Sequence, residues 1–290
     1  AMTAAEKRVD FAVIGRTSED AIELHTRELG RVMGQVLDEA VTRIKQDNLG
    51  TEEGDAQSAA KFKLNSKLLT KVRKEVQKIL RQGWRLGVKH AQNEIDKAKG
   101  EQFTAKQNRL ELIQEDFFDL KSFAIAGKLT DDALSIIKNI LLNGAKGGKS
   151  IREVVNQIYA DFATAGMISF EDARDALGEA LGVNNPDARL NTIVRTNTFE
   201  AINEARYSYF TDPSLGGFVE ALEYSAILDS RTTQICEHLD GQIHAANSEV
   251  WSQYRPPNHF NCRSLLIPVT QLDVWSESEQ PTVDPQRGFK

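Results

Sequence analysis

The sequence predicts a mainly α-helical protein that ends in a small α+β module, and three observations carry this expectation. Apolar residues recur at three-and-four spacing through the first ~125 residues, and cap-like clusters of Ser, Thr and Asp punctuate the middle. Alternating, strand-like texture begins only after Gly216-Gly217.

The first helix is announced by Thr17-Ser18-Glu19-Asp20, which can cap orphan amides, and it continues through Leu29, Val32, Met33, Val36, Leu37, Ala40, Val41 and Ile44. Asn48 to Ala56 reads as a polar loop. A second long helix starts near Asn65 and carries Leu69, Val72, Val76, Ile79 and Leu80 on one face. Gly83 and Gly87 are expected to loosen it before the period resumes at Val88, Ala91 and Ile95. Phe103 to Phe123 supplies a third, so the N-terminal region reads as a helical bundle or a pair of long helical hairpins.

Short helices follow, each behind a cap: Thr130-Asp131-Asp132 before Leu134 to Leu142, Ser150 to Glu153 before Val154 to Phe162, and Ser169 to Asp172 before Ala173 to Leu181. A longer helix begins at Asn185-Pro186 and stops near Phe210, before Asp212-Pro213. Strands are expected within Phe218 to Ile227 and at Leu265 to Val269, and the polar tail from Ser276 is expected to be extended or disordered. The resulting division is 1–125 helical, 126–212 short-helical, 213–275 α+β and 276–290 tail.

Composition narrows the function classes. No apolar run reaches the ~18 residues of a membrane span, and Ala1 to Arg8 lack the apolar core of a secretory signal, so synthesis in the cytoplasm is expected. Two cysteines in 290 residues exclude a disulfide-rich scaffold. The net charge of −6 gives no overall attraction to nucleic acid, yet Lys61 to Lys99 holds twelve Lys or Arg against three acids. Lys67, Lys71, Lys74, Lys78, Arg81 and Arg85 are therefore candidate contacts to DNA phosphates or an acidic partner, with a solvated helix face as the plainer reading.

Two motifs invite chemistry. Asn143 to Ser150 ends in Gly-Lys-Ser like a phosphate loop, but Asn143 replaces the first glycine and a helix precedes the segment where a strand is required. A capping box at Ser150/Glu153 and helix-ending glycines explain it better. The stretch from Asp229 to Arg263 is richer. Cys236, His238, His259 and Cys262 offer the nitrogen and sulfur donors that zinc takes in a tetrahedron, although Cys-x-His is a tight spacing for one ion. Two reduced, buried thiols are the alternative. Asp229, Arg231, Asp240 and Arg263 carry opposite charges suited to pairing between loops. Asp229 or His259 as a general base, or a metal-bound water, would make a hydrolase or nuclease; no nucleophile with its base and orienter is recognisable, which favours the structural reading.

The order of these residues resembles the phage Mu F-like minor head protein (head morphogenesis) family. Asp229-Ser230-Arg231-Thr232, then Cys236-Glu237-His238-Leu239-Asp240-Gly241, then Pro256-Pro257-Asn258-His259-Phe260-Asn261-Cys262-Arg263 follow its D-x-R-T, C-x-x-L-D-G and P-P-x-H-P-N-C-R pattern. Phe260 replaces a proline, and His238 is not a pattern position. Upstream, Ile193 to Thr198 with Asn203, Ala205 and Arg206 is similar to the family's Arg-Thr-Glu helix, with Asn197 where glutamate is common. The resemblance covers Ile193 to Val269. It implies a minor capsid protein of a bacteriophage or prophage, made in the host cytoplasm and carried in the virion head. Its implied partners are portal and other head proteins, with packaged DNA as a further contact of the basic helix. Asp229, Arg231, Thr232, Asp240, Gly241, Asn261 and Arg263 would organise the module, with zinc as the one candidate cofactor.

Overall fold

The computed structural model describes residues 9–51, 61–100, 107–147, 149–168 and 188–289. Among them the helices are α1 (Phe11–Gln46), α2 (Ser66–Lys99), α3 (Gln107–Gly147), α4 (Ile151–Thr164) and α5 (Ala188–Phe210), followed by the short α6 (Gln234–Leu239) and α7 (Val250–Tyr254). Three strands are also found among the described residues: β1 (Val219–Ser225), β2 (Ile243–Ala245) and β3 (Leu265–Thr270). The protein is mainly helical with one small C-terminal sheet, as its periodicity predicts. The expected helix from Ala173 to Leu181 and the Asn185-Pro186 start lie outside the described residues.

Two expected caps are interior helix positions. α1 starts six residues before Thr17, where the Asp10 carboxylate accepts the Val13 N–H at 2.9 Å. Thr17 instead donates its hydroxyl to the Val13 carbonyl one turn back, at 2.8 Å. Likewise Thr130 donates to the Ala126 carbonyl at 2.6 Å, so α3 passes through the expected break as one 41-residue helix. Ser and Thr can cap or bond back along a helix, and the local sequence does not separate the two. At Ser150 the capping box is present: its side chain accepts the Glu153 N–H, and Glu153 returns a bond to the Ser150 N–H at 2.8 Å.

The chain divides into two compact units. One comprises Glu23–Lys78 and Asp119–Val194, and its buried residues include Leu29, Met33, Val36, Val72, Ile137, Leu141, Ile158 and Phe162. Here Gly144 has a packing reason: a Cβ on it would stand 2.4 Å from the Gly50 carbonyl oxygen.

The other unit comprises Ala1–Ile22, Ile79–Phe118 and Arg195–Lys290. Its sheet has the order β2-β1-β3, all antiparallel, with Ala221 opposite both Ala245 and Val269. Six of the seven β1 residues are buried, so both faces of this strand are covered and the half-exposed alternation expected from sequence is absent. Rather than loosening α2, Gly83 and Gly87 let it touch α5. A Cβ at Gly87 would come within 2.4 Å of the Ile202 carbonyl oxygen, and one at Gly83 within 2.7 Å of that of Thr198. The tail is bonded along the module: Ser278 donates its N–H to Ile243 (2.8 Å), Gln286 to Asn258 (2.9 Å), and Phe289 meets Phe260 edge-on.

Candidate functional site

Strand β3 lies at the edge of the sheet, and two side chains of α5 occupy its open side. Asn203 imitates a strand: its Oδ1 accepts the Leu266 N–H at 3.2 Å while its Nδ2 donates to the Ser264 carbonyl at 3.0 Å. One turn later Arg206 donates from Nε and Nη2 to the Leu266 carbonyl, at 3.0 and 2.7 Å. Its fork also holds both oxygens of Glu94 on α2 at 2.7 Å, and the pair is buried. A helix, a second helix and a sheet edge are thereby fixed to one another through two side chains.

The loop between β1 and α6 is held the same way. Asp229 accepts the Arg231 N–H at 2.9 Å and donates its own N–H to the Thr232 hydroxyl, which donates to the Ile227 carbonyl at 2.6 Å. Its two oxygens also receive the Arg263 guanidinium at 2.8 and 2.6 Å, which holds the carboxyl well below its usual range; Arg231 sits farther off, at 3.6 Å. Asp240, at the end of α6, accepts the Ala226 N–H at 2.7 Å. Gly241 supplies the left-handed turn, φ 75°, from which its N–H reaches the Tyr224 carbonyl. Asn261 makes a second such turn, φ 58°, and takes the hydroxyl of Thr196 as acceptor for its N–H. Nearby, Glu19 is paired with Arg195, and that guanidinium keeps the Glu19 carboxyl ionised below its ordinary range.

Between these braces lie the sulfur atoms. Cys236, on α6, and Cys262, just before β3, are both reduced and buried with their sulfurs 3.8 Å apart. His259 Nε2 stands 3.1 Å from Cys236 Sγ, and the three ligand atoms all fall within 4.8 Å of one another. His238 is exposed and is not in this group. The Tyr224 and Ser264 hydroxyls both approach Cys236 Sγ at 3.3 Å. Cys262 and these polar neighbours pull the Cys236 thiol well below the ordinary thiol range against the cost of burial, whereas Cys236 and burial push Cys262 upward. Burial opposes a charge on His259, but the Cys236 sulfur and the Phe260 carbonyl together raise its pKa. Sequence reasoning missed Tyr224, Ser264 and Asn258, whose ordinary residue types give no signal until the fold places them around the sulfur.

On α2, Lys67, Lys71, Lys74, Lys78 and Arg85 are exposed, while Arg81 is half-buried. Lys78 pairs with Glu75 at 2.8 Å, and Arg81 reaches Glu115 at 3.4 Å and lies over the Phe118 ring. No helix among the described residues is long and apolar enough to cross a membrane.

Comparison with known proteins meets this geometry in the same residues. The family model described as Phage Mu protein F like protein matches residues 135–267. A curated relative, the Mu-like prophage FluMu F protein of Haemophilus influenzae (strain ATCC 51907 / DSM 11121 / KW20 / Rd), is 27% identical over 158 residues, which is 54% of this chain and 36% of the relative. The match thus covers about a third of that relative's length. No solved structure matches the chain. The braced sheet edge, the Asp229–Arg263 clamp and the sulfur–imidazole cluster all lie in the segment, residues 135–267, that is similar to the Phage Mu protein F like family.

Proposed function

We propose that this protein is a minor head component of a bacteriophage or prophage, a head morphogenesis protein that works by contact with portal and other head proteins. The observation that carries this reading is how the residues of the Mu F-like region are used. Asp229, Arg263, Asn203 and Arg206 spend their bonding groups on one another and on backbone, which builds a rigid module of a kind an assembly component needs. In this reading it is made in the host cytoplasm and carried in the virion head, where it affects genome packaging or ejection.

The lysines of α2 are the proposed contact to packaged DNA or to an acidic surface of a head protein, because their exposed ammonium groups can neutralise phosphates or carboxylates.

Purified virions and procapsids of the encoding phage, analysed by mass spectrometry, should contain the protein, and it should co-purify with the portal protein from infected cells. Absence from both particles would overturn the head assignment. For the nucleic-acid contact, Lys67, Lys71 and Lys74 are changed together to Gln and duplex binding is followed against salt. The slope of log K on log salt should fall by up to ~0.9 per phosphate contact removed; an unchanged slope would move the contact elsewhere.

A further inference from the structure

The best-formed cluster of ligating side chains is the one between α6, the 255–264 loop and β3, and its geometry asks for more than two idle thiols. Two thiolates each ~2.3 Å from a tetrahedral ion are separated by about 3.8 Å. The sulfurs of Cys236 and Cys262 are 3.8 Å apart. A sulfur and an imidazole nitrogen on the same ion are separated by about 3.6 Å; here the distance is 3.1 Å, so the ring has to withdraw slightly to admit an ion. A disulfide fits less well, because its sulfurs must close to about 2.05 Å.

The surroundings point the same way. His259 Nδ1 lies 2.7 Å from the Phe260 carbonyl, which can only accept, so Nδ1 carries a proton and Nε2 is the nitrogen that faces Cys236. This arrangement, one ring nitrogen held by a carbonyl and the other free to ligate, is how proteins orient a metal-binding histidine. Asn258 donates from Nδ2 to the Tyr224 hydroxyl at 3.2 Å, which leaves the Tyr224 proton for Cys236 Sγ. Ser264 donates to the same sulfur. A sulfur that receives two hydroxyl donors is arranged as a thiolate, the form that binds metal. Asn261, in the left-handed conformation, turns the chain so that His259 and Cys262 reach the same point, with the Cys262 N–H bonded back to the His259 carbonyl. Cys236 and His259 also line a small cleft with Arg231, Thr232, Asn261 and Arg263.

We infer that Cys236, His259 and Cys262 bind one zinc-type ion, soft enough to prefer thiolate and imidazole, that staples α6 to the 255–264 loop leading into β3. His238 takes no part, so the four-residue set expected from sequence reduces to three protein ligands, and water fills the fourth corner. The inference is independent of the proposed function.

The test uses the full chain, expressed with zinc sulfate in the medium and purified without chelator. Elemental analysis should find stoichiometric zinc, and exchange with cobalt chloride should produce the visible ligand-field bands of a tetrahedral site together with a thiolate charge-transfer band. Cys236→Ser, Cys262→Ser and His259→Gln should lose the metal, while His238→Gln keeps it. Ser264→Ala should weaken zinc by about 10–100-fold. Because the cysteine variants can fail to fold, the wild-type protein is also titrated with a thiol reagent before and after EDTA. Both thiols should be protected until the chelator is added. Folded wild-type protein with no zinc, no cobalt bands and thiol reactivity indifferent to EDTA would overturn the inference, as would loss of metal from His238→Gln.

Discussion

The guanidinium of Arg206 grips both carboxylate oxygens of Glu94 at 2.7 Å although the two residues are 112 positions apart in the chain, and neither side chain sees appreciable solvent. Because Arg206 also donates to the Leu266 carbonyl, the pair joins α2, α5 and the edge strand β3 at one point. A buried pair of this kind is a poor source of net stability against an apolar substitute, but breaking it leaves a charge without a partner.

Removal of one partner, by Arg206→Ala or Glu94→Ala, should therefore cost about 3–5 kcal/mol. Arg206→Lys should not rescue, because an ammonium cannot reproduce the fork to Glu94 together with the two bonds to Leu266. Replacement of both residues by apolar ones of similar volume should lose less than either single change. Denaturant unfolding of the variants measures this ordering; a double variant as unstable as the sum of the singles would contradict it.

Asn203 offers a second effect on the same strand. Asn203→Leu strands the Leu266 N–H and the Ser264 carbonyl, at about 1–3 kcal/mol for each buried group left unpaired. Hydrogen exchange at Leu266 should accelerate in the variant, whereas unaltered protection of that amide would mean another group replaces Asn203.

The two glycines of α2 and a glycine of α3 should respond in opposite directions. Gly87→Ala drives a Cβ into the Ile202 carbonyl and should cost about 1–3 kcal/mol despite the better helix propensity of alanine. Gly127 lies inside α3 with nothing within 4 Å of its added Cβ, so Gly127→Ala should stabilise by about 0.4–1 kcal/mol. Thermal unfolding of the two variants reads the signs directly.

Acid should weaken the fold through His90. Burial, aided by the positive charges of Arg206 and Lys89 against the smaller pull of Asp10, lowers this imidazole from 6.5 to about 4. The unfolded chain takes up the proton below about 6.5 and the folded chain only near 4, so the unfolded state binds more protons in that window. Stability is retained above the window and falls as pH drops through it, by up to ~1.4 kcal/mol for each unit. Replacement by Gln should flatten this slope in urea titrations between about pH 7 and 5. Parallel curves for wild type and variant would assign the acid sensitivity to other groups.

Several parts of this picture were legible without coordinates because they are written in neighbouring residues. The three-and-four spacing from Leu29 to Ile44 and from Leu69 to Leu80 marks helices, and Ser150 with Glu153 marks a capped start. β2 escaped notice because three residues carry no period. Thr17 and Thr130 were misleading because the same hydroxyl that caps a helix also bonds back within one.

By itself, then, the sequence determined the helical class, the place of the α+β module and the Mu F-like order of its residues, all of which depend on short spacings. The tertiary structure alone decided that Glu94 answers Arg206, that Gly83 and Gly87 are contact surfaces, and that His259 but not His238 joins the two sulfurs. The physical reason is range: periodicity and capping act within a few residues, whereas a buried charge, a missing Cβ or a ligand set gains its meaning from groups brought close by the fold.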